Sequence, residues 1–294
     1  AASDVYKRQD EGIYIYAYAT ETFTYFDLTT PNNVRITSIV NHILQDKDGN
    51  LWFSTNGQGL FRYNLSKNYL EQYEFTSAFG IVASTMADSD NQIWALTNQG
   101  ESGVYKLNKA ENKFEPFGLL YNAGNHHSQA LAMLEDSEQT LWLGTWECGL
   151  QKIDKYTRQT TTYLHPTDGK GVTHIHSLME YAPHQLLIGS DDGLLLFNTL
   201  TEEYKLFTEN ETVPNSLSNR FVYPIIKDQE GGIWIGTYYG GINYISPNAE
   251  QFESFSHSRL YNSINGNVIG RFCEDAHGPV SYTHLRAHET KANL

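Results

Sequence analysis

The sequence repeats itself about every 45 residues, and this repeat limits the folds available to the chain more than any other feature. Four segments share an Asp, a Trp six residues later and a Gly-rich stretch, whereas a fifth segment has Leu in place of Trp. The equivalent positions are separated by 42, 48, 45 and 47 residues. That spacing is typical of one four-stranded blade of a β-propeller. The equivalent residues are Trp52, Trp94, Trp142, Leu187 and Trp234.

The local pattern inside one repeat predicts four strands. An apolar run at 39–44 precedes the Asp turn, and a short strand with the Trp follows it. A Gly-rich turn leads to a third strand at 59–63, and an aromatic fourth strand covers 69–75. Short alternating runs bounded by Gly, Asn and Asp indicate hairpins. No long stretch has the period of a helix, so the pattern predicts an all-β fold.

The repeat predicts five full blades and two half blades. Gly12 matches Gly59 and Asp275 matches Asp228, each 47 residues away, so a partial unit lies at either end. We expect the halves to join as a sixth blade or to leave an open arc. The full blades are predicted at about 36–76, 81–118, 127–165, 172–208 and 218–257.

The two end segments differ in composition from the rest of the chain. Residues 1–9 and 280–294 both resemble translations of a sequencing-library transposase adapter. The repeat also predicts a Trp at position 281, where the chain has Ser281. We therefore expect adapter-derived tails at 1–9 and 280–294, outside the regular fold, and a propeller fragment of a longer protein at 10–279.

The charge of the chain excludes some classes of partner. The sequence has 34 acidic and 20 basic residues, a formal charge of −14, and the part between the two end segments carries −16. This balance argues against a nucleic acid and against an anionic membrane surface as partners. No apolar run approaches the roughly 18 residues of a membrane span. The two cysteines, Cys148 and Cys273, are too few for a disulfide framework.

The Asp and Trp of the repeat have a predicted structural role. The Asp side chain can accept hydrogen bonds from backbone N–H groups of its own hairpin, and the Trp can pack between neighbouring blades. A calcium loop at Asp46–Gly49 is disfavoured because the downstream ligands are missing. The structural residues are predicted to be Asp46, Trp52, Asp88, Trp94, Asp136, Trp142, Leu187, Asp228 and Trp234.

The repeat resembles the two-component regulator propeller repeat, with the motif intact at 142–145 (Trp-Leu-Gly-Thr) and 234–237 (Trp-Ile-Gly-Thr). The resemblance covers about 10–279. It implies the extracytoplasmic, periplasmic sensor part of a hybrid two-component system, in which two seven-bladed propellers precede a membrane helix and a histidine kinase. Such sensors typically detect oligosaccharides. The resemblance therefore implies an oligosaccharide ligand, a second propeller and downstream domains in the same chain, and a homodimer of the whole protein.

The loops at one face of a propeller converge on its axis, where a ligand pocket is expected. Aromatic rings there suit the apolar side of a pyranose, and polar side chains suit its hydroxyl groups. The alternatives are ordinary exposed turns or aromatic residues that pack against a second propeller. The candidate binding residues are Trp146, Tyr238, Tyr239, His127, His174, Arg220, Asp191 and Asn56.

Other chemistry has weaker support in the sequence. His174 and His176 would share one face of a strand, but no third metal ligand with suitable spacing is evident, so we expect no metal and no cofactor. A nucleophilic Cys148 would need a histidine beside it, and nothing in the sequence pattern places the two together. The alternative to a non-enzymatic sensor is a propeller lyase or glycosidase that acts on a polysaccharide or lactone through His127, His174 and Arg220. A third possibility is a protein-interaction scaffold.

Overall fold

A computed structural model describes residues 5–9, 12–17, 20–73, 75, 80–97, 103–119, 129–166, 171–210, 216–247, 252–255, 268–274 and 280–284. The described residues form 25 strands and no α-helix. Their five four-stranded antiparallel sheets are blades of a β-propeller, so the predicted all-β fold is confirmed. Within these ranges, no helix has the length and apolar character of a membrane span.

The strands follow one another in the sheets in the order of the chain. A three-stranded sheet contains β1 (Val5–Gln9), β2 (Gly12–Ala17) and β3 (Thr22–Tyr25). Blade 1 contains β4 (Val40–Gln45), β5 (Leu51–Thr55), β6 (Leu60–Asn64) and β7 (Tyr69–Tyr73). Blade 2 contains β8 (Val82–Ala87), β9 (Ile93–Thr97), β10 (Gly103–Asn108) and β11 (Lys113–Leu119). Blade 3 contains β12 (Ala130–Glu135), β13 (Leu141–Thr145), β14 (Leu150–Ile153) and β15 (Thr160–Tyr163). Blade 4 contains β16 (Ile175–Ala182), β17 (Gln185–Ser190), β18 (Leu194–Asn198) and β19 (Tyr204–Phe207). Blade 5 contains β20 (Val222–Lys227), β21 (Ile233–Thr237), β22 (Ile242–Ile245) and β23 (Phe252–Phe255), and a two-stranded sheet contains β24 (Ile269–Glu274) and β25 (Val280–His284).

The blade boundaries agree with those predicted from the repeat. Each predicted unit contains one four-stranded sheet; for example, the unit expected at 36–76 holds strands from Val40 to Tyr73. The partial units at the two ends correspond to the three-stranded and the two-stranded sheet. The prediction of five full blades and two incomplete ones is therefore confirmed.

Parts of the two end segments do form strands, in contrast to the expectation of tails outside the fold. Strand β1 pairs with β2 from Val5 to Gln9, and β25 pairs with β24 from Val280 to His284. An unpaired strand edge exposes backbone N–H and C=O groups, and these bind another strand whatever its side chains are. Residues 5–9 and 280–284 therefore pair through their backbone groups with the strands next to them in the chain. Their origin in an adapter stays a prediction.

The repeated Asp binds both the backbone and the Trp of its own hairpin. Asp46 Oδ1 accepts hydrogen bonds from the N–H groups of Asp48 (3.0 Å) and Asn50 (2.9 Å), which confirms the predicted turn. Asp46 Oδ2 accepts a bond from the indole Nε1 of Trp52 at 2.7 Å. We call this Asp–indole bond the indole clasp. It recurs as Trp94–Asp88 (2.9 Å), Trp142–Asp136 (2.7 Å) and Trp234–Asp228 (2.8 Å).

The Trp rings of blades 1 and 3 pack against aromatic rings of the following blade. Trp52 is buried, and its ring lies 5.5 Å from Tyr73 of its own blade and 6.1 Å from Phe114 of blade 2. In blade 4, Leu187 takes this place and packs with Val222 of blade 5. Blade 4 has no equivalent Asp, and a short turn between Ala182 and Gln185 joins its first two strands. The blade that lacks the indole therefore also lacks its acceptor.

The chain forms two compact units, which divide within blade 3. Unit 1 comprises Ala1–Glu135, Gln139–Leu141 and Ile153–Thr160. Unit 2 comprises Asp136–Glu138, Trp142–Lys152 and Thr161–Leu294. Each unit has its own apolar clusters.

Candidate ligand-binding site

Five of the predicted binding residues lie at the same end of the blades of unit 2. Trp146 follows β13, Asp191 follows β17, and Tyr238 and Tyr239 follow β21. His174 comes immediately before β16. Because the first and second strands of a blade are antiparallel, the end of the second strand and the start of the first lie at one edge. The fold therefore places loop residues from three consecutive blades near one another.

A hydroxyl group at the end of each second strand holds the loop that carries these residues. Thr145 Oγ1 donates to Gly149 O (2.7 Å) and accepts from the N–H of Cys148 (2.9 Å). Thr237 makes the same bond to Gly241 O at 2.9 Å. Ser190 Oγ replaces the threonine in blade 4 and donates to Gly193 O at 2.9 Å. This closed turn explains the Thr of the repeat, to which sequence reasoning assigned no role.

Two histidines bind the two oxygens of one carboxylate. His174 Nδ1 lies within hydrogen-bond distance of Asp191 Oδ2, and His176 Nε2 lies 2.8 Å from Asp191 Oδ1. An ionised carboxylate only accepts hydrogen bonds, so both ring nitrogens carry hydrogen. The prediction put both histidines on one strand, but β16 begins at Ile175, and His174 has a left-handed backbone with φ of 50°. Its backbone N–H binds Trp146 O at 3.0 Å, which fixes this conformation.

Aromatic rings flank this His–Asp–His group on both sides. The Trp146 ring stacks on His174 with centroids 3.8 Å apart, and the Tyr223 ring stacks on His176 at 3.9 Å. Tyr223 contacts Tyr238 at 5.2 Å, and Tyr238 contacts Tyr239 edge-on at 4.5 Å. A continuous row of rings therefore crosses the loops of blades 3, 4 and 5. We call it the aromatic–histidine cluster; its members are Trp146, His174, His176, Asp191, Tyr223, Tyr238 and Tyr239.

Burial determines the protonation of two cluster members. Burial lowers the pKa of His176, and this effect outweighs the hydrogen bond that its ring donates to Asp191, which raises the pKa. Burial also raises the pKa of Tyr223 to about 12, with a further contribution from the charge of Asp191. At neutral pH the cluster therefore has a neutral imidazole at His176 and a protonated phenol at Tyr223.

The outer members of the cluster expose ring faces, whereas its centre is closed. Trp146 is 37% exposed and Tyr239 is 59% exposed, while the side chain of His176 is only 9% exposed. Exposed aromatic faces offer stacking surface, and the adjacent carboxylate, imidazole and phenol groups offer hydrogen bonds. This combination suits a ligand that has both an apolar face and hydroxyl groups.

The remaining predicted site residues are not members of the cluster. The Arg220 guanidinium lies 4.8 Å from the Phe221 ring, and that ring is 6.2 Å from Tyr239, so Arg220 borders the cluster. Asn56 belongs to unit 1. His127 lies outside the described residues. Sequence reasoning missed Tyr223, because it looked for ligand contacts in loops and this ring projects from strand β20.

The geometry of the histidines also bears on the metal and nucleophile hypotheses. Both imidazoles direct a nitrogen to Asp191, and no three His, Cys, Asp or Glu side chains among the described residues are arranged to hold a metal ion. Cys148 is a buried cysteine with a reduced thiol, in the turn closed by Thr145. The contacts within the cluster are ring stacking and hydrogen bonds.

Comparison with known sequences supports the resemblance seen in the repeat. Residues 34–57 and 216–239 match the two-component regulator propeller family, so the prediction that the chain carries these repeats is confirmed. A histidine kinase (P4) of Formosa agariphila is 29% identical over 209 residues, which cover 67% of this chain and 15% of the kinase. The chain thus corresponds to a small part of that relative.

Comparison with solved structures shows the same fold in sensors and in lyases. The extracellular domain of a hybrid two-component system of B. thetaiotaomicron has a TM-score of 0.75 and 18% identity, over 96% of this chain and 37% of that domain. Virginiamycin B lyase of Staphylococcus aureus has a TM-score of 0.65 and 15% identity, over 96% of this chain and 92% of the lyase. At these identities the likeness shows the propeller fold alone.

Proposed function

We propose that the chain is the ligand-sensing propeller of an extracytoplasmic sensor, which detects an oligosaccharide and signals to a histidine kinase in a longer protein. The observation that carries the proposal is the aromatic–histidine cluster, whose exposed rings lie next to a fixed carboxylate and imidazoles. The repeat match and the likeness to sensor domains support the sensor class and a periplasmic location. The proposal assigns no reaction to this part of the chain.

The chemistry of the cluster favours a sugar over a purely apolar or purely charged ligand. A pyranose has one face rich in C–H groups, which packs on an aromatic ring such as that of Trp146. Its hydroxyl groups can pair with the carboxylate of Asp191 and with the Tyr238 and Tyr239 phenols. Because an unpaired buried polar group is costly, such a site discriminates against ligands that lack these hydroxyls.

Calorimetric titration with a panel of neutral and acidic oligosaccharides tests this proposal. At least one member is expected to bind, and Trp146→Ala should weaken its binding by roughly 1–3 kcal/mol because a stacking anchor is lost. Tyr181→Ala is the matched control, since Tyr181 is a similarly exposed ring (43%) in β16 of the same unit, beyond the cluster. Absence of heat with every sugar, or equal weakening by both variants, contradicts the proposal.

One observation favours a second candidate function, a propeller lyase. Asp191 orients the His174 ring through Nδ1, as a carboxylate orients the imidazole of a general base. The likeness to virginiamycin B lyase supports the same class. Incubation with cyclic lactones and acidic polysaccharides, followed by mass spectrometry, tests it. Product formation that is lost in His174→Ala would establish the lyase function. Unchanged substrates would contradict it and favour the sensor function.

A further inference from the structure

A concave site lies in unit 1, whereas the aromatic–histidine cluster belongs to unit 2. A cavity of about 510 Å³ is bordered by β10, β11 and the turn at 154–159 that follows β14. Its volume is in the usual range for small-ligand sites. We call this cavity the basic pocket; the residues that define its chemistry are Lys106, Lys109, Glu115, Lys155, Tyr156 and Arg158.

The basic pocket concentrates positive charge in an acidic protein. It has four cationic side chains and one carboxylate, although the whole chain carries a formal charge of −14. Only Lys155 is neutralised, because its ammonium group binds Glu135 and lies 3.9 Å from Asp88. Among the described residues, no ion pair joins Lys106, Lys109 or Arg158 to a carboxylate. The pocket thus retains an excess of positive charge.

The charged groups are held by the surrounding structure. Lys106 Nζ lies 5.3 Å from the centre of the Trp94 ring, and the Arg158 guanidinium lies 5.0 Å from that of Phe117. These contacts with ring faces orient the cations and leave their N–H groups available to an anion. The turn that carries Arg158 is itself fixed, since Asp154 Oδ1 accepts bonds from the N–H groups of Tyr156 (2.8 Å) and Thr157 (2.7 Å). The pocket is therefore formed before any ligand binds.

We propose that the basic pocket binds a small organic anion that carries both carboxylate and hydroxyl groups. Arg158 offers the planar fork that pairs with a carboxylate, and Lys106 and Lys109 supply further charge. Glu115, whose Oε1 accepts a bond from Asn108 Nδ2 at 2.8 Å, is an acceptor for a ligand hydroxyl. The exposed ring of Tyr156 covers the apolar part of the ligand. This site is separate from the sugar site proposed above.

Titration of the full chain with citrate and with glucuronate at constant ionic strength tests the proposal. Saturable binding of at least one acid is expected, and Arg158→Gln and Lys106→Gln should each weaken it about tenfold or more. Lys152→Gln is the matched control: Lys152 lies 5.8 Å from the Trp142 ring on β14, the third strand of blade 3, as Lys106 lies over Trp94 on β10. The control should bind like the unaltered chain.

The outcomes separate this site from the aromatic–histidine cluster. Trp146→Ala should leave acid binding unchanged, and glucose, which has no charge, should not compete. Thermal unfolding of each variant verifies that it folds. The proposal is overturned if neither acid binds saturably, if Lys152→Gln weakens binding as much as Arg158→Gln, or if Trp146→Ala abolishes it.

Discussion

Asp46 joins four donors of its hairpin with two carboxylate oxygens. They are the backbone N–H groups of Asp48 and Asn50, the side-chain amide of Asn50 and the indole N–H of Trp52. The side chain is buried, so its charge is compensated by hydrogen bonds and not by water. Bonds to a charged acceptor are stronger than those between neutral groups. The Asp–indole bond recurs in three further blades, so Asp and Trp act as one structural pair, and the loss of both from blade 4 agrees with this.

Asp46→Asn should lower the free energy of unfolding by about 2–3 kcal/mol, because an amide places an N–H group opposite one of these donors. Urea denaturation measures the change. Asp48→Asn is the control, since it removes the same charge from an exposed position of the same hairpin and should cost less than about 0.5 kcal/mol.

A double-mutant cycle with Trp52→Phe isolates the indole clasp. If Asp46 and Trp52 interact through this bond, the two substitutions together should cost about 1 kcal/mol less than the sum of the single effects. Additive effects would show that Asp46 acts on the turn alone.

At the scale of the element, the loop after each second strand is determined by backbone space as well as by the hydroxyl bond. Gly149 has a φ of 67°, and a Cβ atom there would lie 2.5 Å from the carbonyl oxygens of Tyr163 and Leu164. Gly49, in the Asp turn of blade 1, has a φ of 79° but no atom within 4 Å of such a Cβ. The two glycines share a left-handed conformation and differ in the space around them.

Gly149→Ala should therefore destabilise the protein by about 3 kcal/mol or more, whereas Gly49→Ala should cost only the conformational penalty of about 1–2 kcal/mol. Chemical denaturation of both variants measures the difference. Gly149→Ala should also weaken ligand binding at the cluster, since it displaces the loop that carries Trp146. Equal stability losses would show that only the dihedral angle matters.

At the scale of the whole molecule, the buried histidine couples global stability to pH. Because burial lowers the pKa of His176 below its usual value of 6.5, the unfolded chain binds a proton at this site more readily than the folded chain does. The contribution of His176 to the free energy of unfolding is therefore complete above about pH 6.5. It decreases as the pH falls through the lowered pKa.

Urea midpoints measured between pH 7.5 and 5.5 should show this effect as a loss of stability that is reduced in His176→Gln. His184→Gln removes a histidine outside the cluster and should retain the pH dependence of the unaltered chain. If His176→Gln and the unaltered chain lose stability in parallel, His176 is not the group responsible.

The sequence predicted the blades better than it predicted the site. Repeat spacing and hairpin residues locate strands because they depend on local chemistry. The loops that carry Trp146, Asp191 and Tyr238 lie at one end of the blades of unit 2, whereas the loop with Asn56 belongs to unit 1. The indole clasp was missed because its partners meet across a hairpin turn. Tyr223 was missed because side chains along a strand alternate between the two faces of the sheet. Only the packed structure shows that the Tyr223 ring lies on the face that meets His176. Pairing of Val5–Gln9 and Val280–His284 was missed because backbone hydrogen bonds need no side-chain pattern.

The indole clasp has a consequence for how such a chain can change over generations. In blades 1, 3 and 5 the clasp Asp, its Trp, the loop hydroxyl and the glycine that closes the loop lie within fourteen consecutive residues, as from Asp136 to Gly149. A duplication of one whole repeat of about 45 residues therefore copies every partner of these bonds at once. A new blade then contains every residue of its own indole clasp and of its own loop hydrogen bond. Blade number can therefore change in one genetic event, while individual copies, such as blade 4, diverge.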